Sequence, residues 1–420
     1  MIRRNTHDAV PLSAPSGRNL RDDGERRISV LHVIGSLDVG GAERHLVRVL
    51  PELAKRRYDP KVFCLTSRGV LATELESNGV GVATVNRGRG RSLFGRFAGL
   101  VRAALGLARY IRQQRPEIVS FYLPAAYLVG APVSLIVGPR RRVMWRRSRN
   151  FYQSGRPVAA FLERLLHRRM TALVANSEAV RADLSREGAP LDRISVIHNG
   201  VDLDDIRPTR SREAVRAELG LPMSSLVFVM VANLIAYKGH CDLIEAFSAA
   251  GLRPDSMLVL VGRDQGIRTG LETLASERGV EGRIIFLGAR RDVADILAAC
   301  DVGVLASHEE GFSNAVIEYM AAGLPVVATD VGGNAEAILD GGIIVPPRTP
   351  SALAEALADL QDEPRRRSMG ARARQRAADE FSLSKCVDRY DALYTSIAGR
   401  GIALSGVAGR DLLSPASDES

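Results

Sequence analysis

The chain is 420 residues long, 46% hydrophobic and 25% charged, the profile of a globular protein with room for two or three domains. Its longest apolar run, residues 127–137, is interrupted by Gly130 and Pro132 and is too short to span a bilayer. Residues 1–200 carry 34 Lys+Arg against 16 Asp+Glu, and the remainder 23 against 32, so a net +18 faces a net −9. This asymmetry calls for a polyanionic partner on the first half: an anionic membrane, a phosphorylated acceptor or nucleic acid.

Taken in order, residues 1–27 are polar and basic, contain Pro11, Pro15 and Gly17, and lack the apolar core of a signal peptide. They are expected to be disordered and the protein cytoplasmic. From Ile28 a strand–helix alternation begins. Strands are expected at 29–34, 62–65, 80–85, 118–121, 143–145, 172–175 and 195–197. Helices are expected from Gly40-Gly41 to about Arg56 and over about 93–114, the latter with an apolar face of Phe97, Leu100, Ala104, Leu107 and Ile111. The opposite side of that helix carries Arg102, Arg109 and Arg112, either a membrane-docking face or an ordinary solvated one. After a polar pause at 202–208 the alternation restarts, with strands at 227–231, 257–261, 283–287, 302–306, 326–329 and 343–345. Helical sequence runs from 351 to about 397, broken at Pro364 and at 381–383. The expected fold is α/β, with two doubly wound parallel sheets and a ligand cleft beyond the strands' carboxyl ends. The four cysteines, Cys64, Cys241, Cys300 and Cys386, show no metal-ligand spacing and are read as thiols.

Chemistry concentrates at those strand ends. Lys238 lies in the loop after 227–231, where a cation suits a diphosphate, although a solvated loop lysine is the plainer alternative. Leu287, within Phe286-Leu287-Gly288-Ala289, ends a strand where backbone groups meet a planar base. Glu309-Glu310-Gly311-Phe312-Ser313-Asn314-Ala315 feeds a helix whose first N–H groups are a seat for phosphate. Glu318 lies farther along this helix among small and apolar residues, and calls for a hydrogen-bonding partner such as a sugar diol, with a plain solvated carboxylate as the alternative. In the first half, Gly40-Gly41 admits a ligand to the backbone, with a tight structural turn as its equal competitor. No GxGxxG fingerprint and no DxD pair beside an apolar strand is present.

Glu310 and Glu318 form an E-x7-E pair inside EEGFSNAVIEYMAAGLPVVATDVGG, accompanied by GGAERHL, ANSEAVR, IHNGVD, ANLIAYKGH and FLGARRDV. Together these resemble the retaining glycosyltransferases of family 4, which have the B-type fold of two Rossmann-like domains, and the resemblance covers about residues 28–395. It implies an acceptor-binding domain at 28–200 and a donor-binding domain at 201–385. A terminal helix at 386–402 would pack back on the first domain, and 403–420 would form a disordered tail.

By the same resemblance, Glu318 accepts hydrogen bonds from the donor's ribose and Glu310 lies beside the transferred sugar. The amides of Gly311, Phe312, Ser313, Asn314 and Ala315 hold sugar hydroxyls and diphosphate. Lys238 neutralises the leaving diphosphate, and Gly40 and Gly41 close over it from the other domain. The implied reaction is hexose transfer from a nucleoside-diphosphate sugar (UDP or GDP) with retention. No metal or other cofactor is implied; the departing phosphate helps deprotonate the acceptor. Two positions depart from the family's usual pattern: Asn233 stands where an arginine is frequent, and Tyr122 where a histidine is frequent. Tyr122 is therefore expected near the donor sugar, and Lys238 is expected to carry more of the diphosphate's charge unless an arginine from elsewhere compensates. From their place after the strand at 143–145, Arg147 and Arg149 are expected to meet an anionic acceptor, with solvated surface arginines an equal alternative; His198-Asn199-Gly200 is expected to form an interdomain turn.

The expected acceptor is lipid-linked or a polysaccharide of the bacterial envelope, met at the inner membrane face. Rival readings are a sugar-nucleotide epimerase of the same fold, a non-catalytic binding protein, and a nucleic-acid binder. The last lacks an aromatic stacking platform or reading helix.

Overall fold

A computed structural model describes residues 26–85, 93–153 and 155–399. The tails expected to be disordered lie, apart from Arg26 and Arg27, outside these residues. In chain order the first unit runs β1 Ile28–Ile34, α1 Gly41–Lys55, β2 Tyr58–Cys64, α2 Ala72–Ser77, β3 Gly81–Thr84, α3 Leu93–Gln114, β4 Ile118–Tyr122, α4 Pro124–Val137, β5 Arg141–Arg146, α5 Pro157–His167, β6 Ala172–Ala175, α6 Glu178–Arg186 and β7 Ile194–Val196. The second runs α7 Arg212–Leu219, β8 Val227–Val231, α8 His240–Ala249, β9 Met257–Val261, α9 Arg268–Glu277, β10 Ile284–Gly288, α10 Val293–Ala299, β11 Val302–Leu305, α11 Asn314–Ala321, β12 Val326–Thr329, α12 Asn334–Ile338, β13 Gly342–Val345, α13 Pro350–Asp359, α14 Glu363–Glu380 and α15 Leu383–Ala398.

The strands form two sheets of order β3-β2-β1-β4-β5-β6-β7 and β10-β9-β8-β11-β12-β13, and every pairing is parallel. Strand order reverses beside β1 in the first sheet and beside β8 in the second. Crevices open at such reversals, beyond the strand ends. Both faces of each sheet are covered, which is why the strands read as apolar runs rather than alternations.

The first sheet's two faces carry separate cores. One is filled from α1, α2 and α15, the other from α3, α4 and α6. The helical stretch is broken before Pro364 as expected: α13 ends at Asp359, and Pro364 sits in the first turn of α14, where its missing N–H has no intrahelical role. Across the domain boundary α15 joins the first domain's core through Cys386, Val387, Tyr390 and Tyr394. Trp145 stacks between Tyr390 at 4.1 Å and Tyr122 at 5.5 Å between ring centroids. The chain thus crosses between domains twice, and its crossings are bonded together: Val201 N–H donates to Phe381 O, and Leu383 N–H to Val201 O, both at 2.8 Å.

On α3 the buried residues are Ala103, Leu107, Tyr110 and Ile111, whereas Phe97 and Leu100 are exposed. The expected apolar face is therefore turned. Tyr110 packs on Phe63 with centroids 5.4 Å apart, and Gly106 lies directly against Val85. Small residues let the helix lie close to the sheet, and the larger apolar ones are left facing out.

Candidate active site

A cavity of about 980 Å³ lies between the two sheets' carboxyl ends. Its first-domain wall includes Gly40, Gly41, Arg44, Leu123, Arg147, Arg149, Asn176 and Asn199. The facing wall includes Asn233, Lys238, Arg263, Ala289, Arg291, Glu310, Gly311, Phe312, Ser313, Asn314 and Ala315.

Lys238 and Glu310 meet on the second wall. Lys238 Nζ lies 2.5 Å from Glu310 Oε1, which also accepts Ser307 Oγ at 2.7 Å. Ser307 is itself fully buried, and its carbonyl accepts Thr329 Oγ1 at 2.5 Å. The carboxylate is consequently fixed from behind, and its lysine partner remains 18% exposed toward the cavity. Neither Ser307 nor Thr329 carries a motif signal; only their places at the ends of β11 and β12 hint at this support.

Next to this pair, α11 begins without a side-chain cap, so its first amides keep no local acceptor. Asn314 faces Gly41: a Cβ on Gly41 would sit 3.9 Å from Asn314 Nδ2. Gly311 allows a tighter approach, since a Cβ there would lie 2.5 Å from Arg147 O. Asn176 Nδ2 donates to that same carbonyl at 3.2 Å, and Asn199 Nδ2 to Phe312 O at 3.1 Å and Asn314 Oδ1 at 2.6 Å. His198 pairs with Glu336 and packs on Phe312 at 4.9 Å. The turn at 198–200 therefore ties the helix start of one domain to the cleft loop of the other.

Several expected positions are corrected. Tyr122 does not reach the cavity. It is fully buried, bonded to His32 Nδ1 at 3.3 Å, and burial holds its phenol well above the usual range. Leu123, with φ +69°, turns the chain there and lines the cavity instead. Leu287 also stays out, packing against the second core, and the strand end offers Ala289 and Arg291. Phe312 presents its carbonyl to Asn199, while its ring is only 5% exposed and packs on Phe381 at 5.3 Å.

Arg149 lines the cavity but is bonded by Nε to Asp183 Oδ2 at 2.5 Å, and Arg147 donates to Asn199 Oδ1. Both arginines expected for an acceptor thus also brace the wall. Arg44, exposed nearby, makes no ion pair among the described residues. Glu318 does not line the cavity; it lies one turn beyond Asn314 on α11, where Arg48 of α1 donates to its Oε1 at 3.2 Å across the cleft. That contact was not legible in the sequence.

At Asn233 the structure supplies a neighbour. Asn233 Oδ1 accepts the N–H of Arg263 at 3.2 Å. The β8–β9 register runs from Val231↔Val261 through the isolated bridge Leu234↔Asp264, which makes 233 and 263 partners. Arg263 is exposed at the cavity, and its guanidinium makes no ion pair among the described residues. Arg290, also at the cavity, is engaged by Asp292 at 2.6 Å and Glu218 at 3.0 Å.

Among the described residues one group has the spacing of a metal site, Glu163, His167 and Glu187, all buried in the first domain. A cation is already provided there by Arg146, which donates to Glu163 Oε2 at 2.8 Å and to Glu187 Oε2 at 3.0 Å.

With two parallel sheets and this facing cavity established, comparison with known proteins is decisive. Residues 39–205 match Glycosyltransferase Family 4, and residues 211–376 match Glycosyl transferases group 1. The chain belongs to glycosyltransferase family 4. Together the two matches hold every residue of the cavity.

Among relatives of this chain, the D-inositol 3-phosphate glycosyltransferase of Xylanimonas cellulosilytica is 38% identical over 217 residues, 48% of this chain and 52% of the relative. N-acetyl-alpha-D-glucosaminyl L-malate synthase of Bacillus anthracis is 30% identical over 211 residues, 50% of this chain and 55% of the relative. In these matches the chain spans about half the length of the curated relatives. Anabaena HepE, solved with UDP and glucose, superposes with a TM-score of 0.78 at 23% identity, over 88% of this chain and all of that one. The likeness establishes the B-type fold.

No helix among the described residues is long and apolar enough to cross a membrane.

Proposed function

We propose that the protein transfers a hexose from a UDP- or GDP-sugar to a lipid-linked or polysaccharide acceptor, with retention and without a metal. The observation that carries this reading is the meeting of Lys238, Glu310 and the uncapped start of α11 in one interdomain cavity, opposite Gly41. These groups suit a sugar diphosphate: amides and a cation for the phosphates, a carboxylate for sugar hydroxyls. HepE, with its bound UDP and glucose, lends analogy for the donor.

In the proposed step the bond from the anomeric carbon to the diphosphate oxygen breaks, and the acceptor oxygen bonds to that carbon on the same face. The acceptor proton passes to the departing phosphate oxygen. Lys238 stabilises the charge that accumulates there. The deciding experiment incubates purified protein with UDP- and GDP-hexoses, with and without lipid-linked acceptors. Acceptor-dependent release of nucleoside diphosphate with a new axial glycoside supports the reading, and acceptor-independent conversion of the donor to an epimer refutes it.

Two binding results are expected by calorimetry. Glu318→Ala should weaken nucleotide binding by about 1.5–3 kcal/mol, the range for hydrogen bonds to a charged group. Unchanged affinity would remove the proposed ribose role. Arg263→Ala should reduce affinity for UDP or GDP roughly tenfold but leave the bare nucleoside unaffected, because only the former carries the charge. Equal losses for both ligands would mean that Arg263 acts on the base or the loop instead.

A further inference from the structure

Helix α5 is inverted. Val158, Phe161, Leu162 and Leu165, spaced along one stripe, are exposed by 72, 65, 44 and 52%, while Glu163 and His167 on the same helix are fully buried. The inward side is satisfied by polar partners: Glu163 by Arg146 at 2.8 Å and Gln153 at 2.9 Å, His167 by Glu187 at 3.0 Å and Tyr127 at 3.1 Å. Nothing in this interior requires the outer stripe to be apolar. The neighbouring helices extend it. Helix α4, packed on α5, exposes Leu135 and Ile136, and α3, packed on α4, exposes Val101 and Leu105.

Charge frames the stripe with one sign. Arg102, Arg109, Arg156, Arg164, Arg168 and Arg169 are exposed on these helices or at their ends, and none makes an ion pair among the described residues. Across residues 93–170 the sequence holds only two carboxylates, Glu117 and Glu163. Glu163 is buried, and Glu117 is half-buried beside Arg26 and Arg141.

We infer that this face seats on an anionic phospholipid bilayer. The α5 stripe enters the acyl boundary while the arginines lie on the headgroup phosphates. Charge decides the occupant. A second copy docked symmetrically on the same patch would set one arginine field against another, and nucleic acid offers no apolar phase for the stripe. Arg147 of the cavity wall follows Arg146, whose guanidinium holds α5 through Glu163. That such seating presents a lipid-linked acceptor to the cavity rests on the proposed function, whereas the membrane contact does not.

The test is flotation of the full chain with vesicles of phosphatidylcholine alone or mixed with phosphatidylglycerol. The wild type should bind the anionic vesicles at least about tenfold more tightly, since each arginine at such a surface is worth roughly fivefold. Phe161→Asp with Leu165→Asp should lower that binding by about tenfold or more, at unchanged melting temperature. Arg164→Glu with Arg168→Glu should abolish the preference for anionic lipid. Three outcomes overturn the inference: equal or absent binding of the wild type to both vesicles, wild-type flotation of the Phe161/Leu165 variant, or absent flotation with a lipid-free dimer that this variant dissociates. Calorimetric nucleotide affinity in the same preparations reports separately on the transferase reading.

Discussion

Lys238→Ala is expected to lower the rate of sugar transfer at saturating donor by about 10²–10³-fold, while nucleotide affinity falls far less. The reason is timing. Charge on the diphosphate oxygen grows as its bond to the sugar breaks, so a cation held beside it stabilises the transition state more than the bound donor. Lys238 is held 2.5 Å from Glu310, whose carboxylate is anchored in turn by Ser307. Removing the lysine also leaves that carboxylate as an uncompensated negative charge facing the leaving group. Initial-rate kinetics with the natural or a surrogate acceptor, together with calorimetry for the nucleotide, separate the two quantities. A turnover within about threefold of the wild type would mean that Lys238 only supports Glu310 in the ground state.

Arg146→Met should destabilise the first domain by about 3–5 kcal/mol, the cost of stranding buried charge. Glu163 and Glu187 are respectively 0% and 3% exposed at the side chain, and both are bonded to this guanidinium. Burial alone would raise the Glu187 carboxyl, but the His167 hydrogen bond and Arg146 outweigh it and hold the group down to about 2. Its stabilising contribution is therefore present above the ordinary carboxyl range and lost as pH falls through that depressed value. The variant, whose Glu187 carboxylate has lost the guanidinium that held it down, should lose less on acidification, so the gap to wild type narrows below about pH 4. Trp145 is the single tryptophan and adjoins the site of substitution, so its fluorescence reports on this domain during urea unfolding. A variant with an unchanged unfolding midpoint would show that the carboxylates find another cation or solvent.

The alternation of apolar strands with helices was sufficient to expect two doubly wound sheets, because strands covered on both faces must be apolar throughout. The same logic put Lys238, Glu310 and Asn314 at strand ends, and the tertiary structure does bring them to one cavity. Tyr122 shows where this reasoning fails. It also sits at a strand end, but the partners that claim its ring, Trp145 and the neighbours Tyr390 and Tyr394 from α15, come from distant parts of the chain. Helix α3 fails similarly, because its buried side was chosen by Val85 and Phe63 and not by the largest apolar residues.

By itself, then, the sequence determined the elements, the class of fold and the carboxylate and cation at the site, since these rest on local periodicity and short motifs. Only the tertiary structure decided which polar and charged groups meet. Asn233 and Arg263 became partners through strand register, Arg48 and Glu318 through domain apposition, and Arg146 with its carboxylates through packing behind the cleft. Each is a contact between residues far apart in the chain, and burial and pairing, set by three-dimensional neighbours, determine what a charged side chain can do.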